Sequence, residues 1–234
     1  MSLLDRIESA TTTEQIVALS RIAQAEFFRE SLYLTAKYLL GYKEVNPRTH
    51  GSTIANLSSD SKRKLIVMPR GTFKTSLAAV AFSTWSILRN PNIRILLDSE
   101  LYSNSKNTLR EIKQHLETPR ICELYGEFKN QNCWNEGEII INQRTKVVKE
   151  ATLTCSGIGA QKTGQHYDLI IADDMNSPSN SNTPEALVKV IDHYRYYTSI
   201  LEPHGTIVVI GTRYSANDLI GHIIRNEVLM KGLI

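Results

Sequence analysis

The chain reads as an α/β fold, a mainly parallel central sheet flanked by helices, with a helical extension at its N-terminus. Three observations predict this. Short apolar runs (KLIVM, IRILL, DLIIADD and GTIVVIG) alternate with stretches of helical periodicity from Lys64 onward. Residues 1–60 carry helix signals and lack strand signals. The composition, 41% hydrophobic and 22% charged over 234 residues, suits a globular chain long enough for one sizeable core.

Each element has its own justification. A Thr-x-x-Glu/Gln type helix start lies near Thr11–Gln15. Apolar positions then recur at Ile16, Leu19, Ile22 (with Ala23), Phe27, Tyr33 and Leu34, and Gly41 supplies a stop. The loop NPRTHGS and a second short helical stretch complete an extension over residues 1–60, expected to pack on a core spanning 61–234. KLIVM is a strand ending at Pro69, and TSLAAVAFSTWSILRN is a helix stopped at Asn90–Pro91. IRILL is the next strand, followed by a polar helix, SNSKNTLREIKQHLETP, ended by Pro119. Residues 134–156 alternate like a hairpin. DLIIADD is a third buried run, TPEALVKVIDHYRYYTSILEP is helical, and GTIVVIGTR is a fourth run. ANDLIGHIIRNEVLM reads as a closing amphipathic helix. With no internal repeat or linker, one domain is expected.

Composition also excludes classes. A net charge of +3 tolerates a nucleic-acid partner without demanding one. Three cysteines, Cys122, Cys133 and Cys155, form no C-x-x-C pair, so a disulfide framework is a poor reading and a reducing compartment fits better. Asp5, Arg6 and Glu8 interrupt any apolar run at the N-terminus, and no stretch approaches the roughly 20 apolar residues a bilayer needs. A soluble intracellular protein is expected.

KLIVM runs directly into PRGTFKTS and then a helix. Strand, loop and helix N-terminus in that order make a phosphate-binding context, because main-chain N–H groups and the positive helix end converge on an anion. Pro69, Arg70, Gly71, Thr72, Phe73, Lys74, Thr75 and Ser76 would line it. Lys74 would neutralise phosphate charge and the Thr75 hydroxyl would ligate Mg²⁺. The usual spacing wants glycine at positions 68 and 73, where this chain has Met68 and Phe73. On this loop alone, a structural turn carrying an exposed lysine is an equal alternative.

YDLIIADD ends a buried strand in two carboxylates, and like charges so close repel unless a cation joins them. Asp173 would hold Mg²⁺, directly or through water, and Asp174 would orient or deprotonate an attacking water. Most hydrolases of this kind use glutamate in the second place; aspartate is one methylene shorter.

Together these residues resemble the large terminase subunits of tailed bacteriophages. PRGTFKTS is similar to that family's deviant Walker A loop, with an arginine, here Arg70, four residues before the lysine. TCSGIGAQKTGQHYDLIIADD is similar to its glycine-containing hairpin leading into Walker B. GTRYSANDLIG resembles its coupling motif, with Thr212 and Arg213 in the matching places, and the helical lead-in with His50 is similar in layout. The match spans roughly residues 45–225.

The resemblance implies a P-loop NTPase fold of the RecA-like/ASCE kind and a Mg²⁺-dependent ATPase. Arg70, Lys74 and Thr75 would contact ATP and metal, Asp173 and Asp174 would form the Walker B pair, and Thr212 would sense the γ-phosphate from a strand between the other two. It further implies a homo-oligomeric ring on a capsid portal, possible monomers in solution, and transport of double-stranded DNA. The portal protein and a small terminase subunit would be partners, in the host bacterial cytoplasm with transient docking on the procapsid. Two departures stand out. Where many members carry an arginine before Walker B, this chain has Gln165, with Lys162 and His166 nearby, so a trans-acting finger could be Lys162, or Arg70 could act in cis. The nuclease domain that full-length members carry is expected to be absent from this chain.

Other candidates have plainer alternatives. Lys62, Arg63 and Lys64 suit a solvated turn better than DNA contact. Lys106, Arg110 and Lys113 share one helix face with acidic neighbours. Tyr194, Tyr196 and Tyr197 suit packing, and His50, Arg48 and Tyr42 are candidates for an adenine pocket. Two other functions compete: a non-hydrolysing nucleotide-binding assembly module, and a helicase-like translocase.

Overall fold

The computed structural model describes residues 12–160 and 162–229. Its elements are α1 (Thr13–Glu30), α2 (Leu32–Leu34) continuing into a π-helical turn (Thr35–Leu39), α3 (Pro47–Ser58) and β1 (Arg63–Val67). A π-helical segment (Ser76–Ala81) then runs into α4 (Phe82–Arg89), followed by β2 (Ile95–Ser99), α5 (Tyr102–Leu116) and α6 (Pro119–Tyr125). A meander follows: β3 (Lys129–Trp134), β4 (Glu138–Ile141) and β5 (Leu153–Cys155). The chain finishes with β6 (Tyr167–Asp173), α7 (Pro184–Ile200), β7 (Leu201–Gly211), and α8 (Leu219–Ile223) leading into a last π segment (Ile224–Leu229).

One seven-stranded sheet, in the order β1-β7-β6-β2-β5-β4-β3, organises the molecule. The pairs from β1 through β5 are parallel, and the two pairs involving β4 are antiparallel. The central strands alternate faces with a period of two. Ile95, Leu97, Leu169, Ile171, Val208 and Ile210 point into a core shared with residues of α1 to α6. Leu96, Ile170, Ala172, Ile207 and Val209 point the other way, against Val190, Tyr194, Tyr197 and Ile200 of α7 and Leu219 and Ile223 of α8. Strands covered on both faces need apolar residues at every position, so these runs are continuous rather than alternating.

Several boundaries differ from the expectations above. The first helix begins with a capping box between Thr12 and Gln15. Its apolar positions do not all turn inward, however: Leu19 and Phe28 are buried, whereas Ile16, Ile22 and Phe27 are exposed. Pro119 does not merely end a helix. It opens α6 at the first turn, where a missing N–H costs nothing. The hairpin is a three-stranded meander, because β3, with its polar sequence KNQNCW, carries no strand signal of its own. Leu201 begins β7, rather than ending α7, and starts an eleven-residue strand.

Candidate functional site

In parallel sheets, ligand crevices form at the carboxyl ends of the strands. The ends of β1, β7, β6 and β2 lie in register here: Val67 pairs with Gly211, Ile210 with Asp173, and Asp173 with Ser99. This edge therefore gathers the turn after β1, the twin aspartates after β6 and the Thr212 segment after β7. β7 lies between β1 and β6, and Thr212 comes just past its last residue, Gly211, rather than on the strand itself.

The turn after β1 is bent by two residues with positive φ, Gly71 at 78° and Phe73 at 57°. Glycine adopts this region at no steric cost, whereas phenylalanine carries strain there. Phe73 thus has the backbone shape of the glycine that the usual spacing places at 73. Its ring packs edge-on against Tyr42, with centroids 6.2 Å apart. Inside the turn, the Thr72 hydroxyl donates to the Pro69 carbonyl at 2.7 Å. Helical backbone begins at Lys74, so the first-turn N–H groups, which lack intrahelical acceptors, face the turn.

His50 braces this turn from α3. It is 3% exposed. Its Nδ1 accepts the Asn46 N–H at 3.2 Å, so Nε2 carries the proton and donates to the Thr72 carbonyl at 3.1 Å. Both ring nitrogens are therefore engaged by the protein. Tyr42 is similarly committed: its hydroxyl donates to Glu111 at 2.6 Å and stands 3.0 Å from His115 Nε2. Arg48 is exposed.

Lys74 is 8% exposed, and its Nζ stands 3.2 Å from Asp174 Oδ2. Thr75 favours the ionised form of the Asp173 carboxyl. Burial, and then the neighbouring Asp174 charge, push the Asp173 carboxyl up to about 7, against the opposing pull of Thr75 and Lys74. Asp173 Oδ1 and Asp174 Oδ1 are enclosed without a hydrogen-bond partner, and Asp174 has a φ of 46°. Two neighbouring oxygens left unpaired beside a carboxyl that resists ionisation make a local surplus of negative potential. A hard cation relieves it. Among the described residues no group of three or more His, Cys, Asp or Glu side chains could hold a metal. A magnesium site completed by phosphate oxygens and a Thr hydroxyl needs only one or two carboxylates, so the donor set fits that ion.

The remaining candidates divide. Thr212 donates through its hydroxyl to the Met68 carbonyl at 3.2 Å, joining the ends of β7 and β1. Arg70 is exposed and donates to the Tyr214 hydroxyl; that bond first, and Asp174 more weakly, raises its pKa. Arg213 is exposed and donates to the Ser215 carbonyl at 3.2 Å. Lys162 lies in the β5–β6 connection, where among the described residues its ammonium makes no hydrogen bond or ion pair. Its charge acts at a distance on the Cys155 thiol, which burial pushes up to about 12. Ser76 starts the π-helical segment behind Lys74.

The chain is 27% identical over 158 residues to the terminase large subunit of Enterobacteria phage T3, a match covering 66% of this chain. The relationship is terminase-like and distant. The chain matches only 26% of that relative's length. No protein-family profile matches it. Among the described residues no helix is long and apolar enough to cross a membrane.

Sequence reasoning missed Tyr214, Asp218 and Asn176, which organise the segment after β7. Asp218 was legible as a helix N-cap before the apolar run LIGHI. Asn176 carried no signal, because its partner, the Leu219 N–H at 3.0 Å, comes from a distant segment.

Proposed function

We propose that this chain is a P-loop ATPase whose hydrolysis of ATP drives double-stranded viral DNA into a preformed capsid, as the motor part of a terminase large subunit. The observation that carries the reading is the approach of Lys74 to Asp174 across a turn bent at Gly71 and Phe73. The distant similarity to a terminase supplies the biological setting.

On this reading, the β- and γ-phosphates lie on the first-turn N–H groups after Phe73, with the Lys74 ammonium against their oxygens. Thr75 and Asp173 would hold magnesium, which would neutralise charge on the phosphate oxygens. Asp174 orients a water in line with the γ-phosphate and accepts its proton. Arg70 reaches the phosphates from the turn, and Thr212 reports their presence to β7 through its link to β1. Double-stranded DNA, a portal protein, a small terminase subunit and further copies of the chain in a ring are the partners this role requires.

Titration calorimetry with ATP and magnesium tests the reading. Saturable binding by the wild type, lost in Lys74→Ala, is expected. Absence of binding at millimolar nucleotide would remove the assignment and leave an assembly module.

A further inference from the structure

The segment joining β7 to α8 is held by one enclosed carboxylate. Asp218 has no solvent exposure. Its Oδ2 accepts the main-chain N–H groups of Tyr214 at 2.7 Å and Ser215 at 3.0 Å, and its Oδ1 accepts that of Gly221 at 2.8 Å. A buried carboxylate with three main-chain donors fixes its loop firmly, because any departure leaves a charge short of partners away from water. The next residue is tied to the far side of the site, where Asn176, two residues beyond Asp174, accepts the Leu219 N–H.

This frame presents the Tyr214 side chain to Arg70. The guanidinium donates to the Tyr214 hydroxyl and lies 5.7 Å from the ring centroid. An exposed arginine otherwise samples many rotamers, and a fixed hydroxyl and a π-face on one ring restrict it. We infer that Tyr214 is a positioning residue for Arg70, holding its guanidinium at the mouth of the turn so that a nucleotide's phosphates meet it already in place. The inference rests on the nucleotide-binding reading above. It also gives the segment after β7 a physical purchase on the turn after β1, through a side chain rather than through the sheet.

A double-mutant cycle on the full chain tests it, with ATPγS and magnesium as the calorimetric ligand. Tyr214→Ala should weaken binding about tenfold, and Tyr214→Phe, which keeps the ring and loses the hydroxyl, about threefold. In an Arg70→Ala background, Tyr214→Ala should have no further effect, since the side chain acts through the guanidinium. An equal loss with and without Arg70 would show a merely structural role. Unchanged or tighter binding in Tyr214→Ala would show that the tyrosine is idle or sequesters the arginine. Either result overturns the inference while leaving the proposed function standing. A wild type that binds no nucleotide overturns both, and is read before any variant is made.

Discussion

Lys74 and Asp174, a hundred positions apart in the sequence, meet at 3.2 Å over the carboxyl edge of the sheet. Lys74 is nearly enclosed, while the Asp174 side chain retains 43% exposure, so the lysine depends on the pairing more than the aspartate does. Each has a separate role in the proposed chemistry. Lys74→Ala should lower turnover at least about a hundredfold and weaken nucleotide binding, because it removes the central phosphate charge. Asp174→Asn should keep binding and lose about 10²–10⁴-fold in turnover, as expected for a proton acceptor. Steady-state ATPase assays alongside calorimetry separate the two patterns. Equal loss of binding in both variants would make the pair a structural ion pair.

Asp173 sets a pH dependence. Its carboxyl titrates near 7 in the folded chain, because burial and the Asp174 charge oppose ionisation, whereas an unfolded aspartate titrates near 4. Between those values the folded chain holds a proton that the unfolded chain has released. Stability of the metal-free protein therefore falls as pH rises from about 4 to 7, and this contribution is constant above that range. With some exposure remaining, about 1–2 kcal/mol is a reasonable size. Asp173→Asn should flatten this part of the profile and raise stability at pH 8, measured by thermal unfolding in EDTA. A wild-type profile parallel to that of the variant would contradict the assignment.

Phe73 reverses an ordinary ranking. Removing its ring forfeits the edge-on contact with Tyr42, so both Phe73→Ala and Phe73→Gly should destabilise. Alanine keeps the strain of a φ of 57° and glycine does not, so the glycine variant should be the more stable by about 1 kcal/mol. At a helical or extended site the order would be the opposite. Urea unfolding of the two variants decides it.

The same residue shows how far the sequence could be read. Met68 and Phe73 break the expected glycine spacing, yet the turn takes a left-handed conformation at 73, since tertiary packing on Tyr42 offsets the local strain. The strands of the central sheet were legible because burial on both faces demands unbroken apolar runs, and the α/β architecture followed from their alternation with helices. β3 was not legible: its residues are polar, and its pairing comes from the β4 edge. His50 was visible as a candidate but its partner was not, because the Thr72 carbonyl that it braces carries no side-chain signature. Asp98 was missed altogether. A single acid ending an apolar run does not announce a buried network on a helix almost a hundred residues away.

That network supports the last prediction. Asp98 is 2% exposed, and its Oδ2 lies 2.8 Å from His193 Nε2 and 3.0 Å from the Tyr197 hydroxyl, both on α7. The Ser99 N–H donates to its Oδ1 at 2.9 Å. The three side chains fasten α7 to β2 beneath the proposed site. Tyr197→Phe deletes one donor to a buried carboxylate and keeps the ring that packs on Tyr194, with centroids 5.9 Å apart. The loss should be about 1.5–3 kcal/mol, the range for hydrogen bonds to charged groups. Tyr194→Phe should cost less, because its acceptor Glu227 is only half-buried and water can replace the lost bond. Urea denaturation midpoints of the two variants give the comparison. Equal midpoints would mean that α7 is held by ring packing, with the Asp98 contact adding nothing.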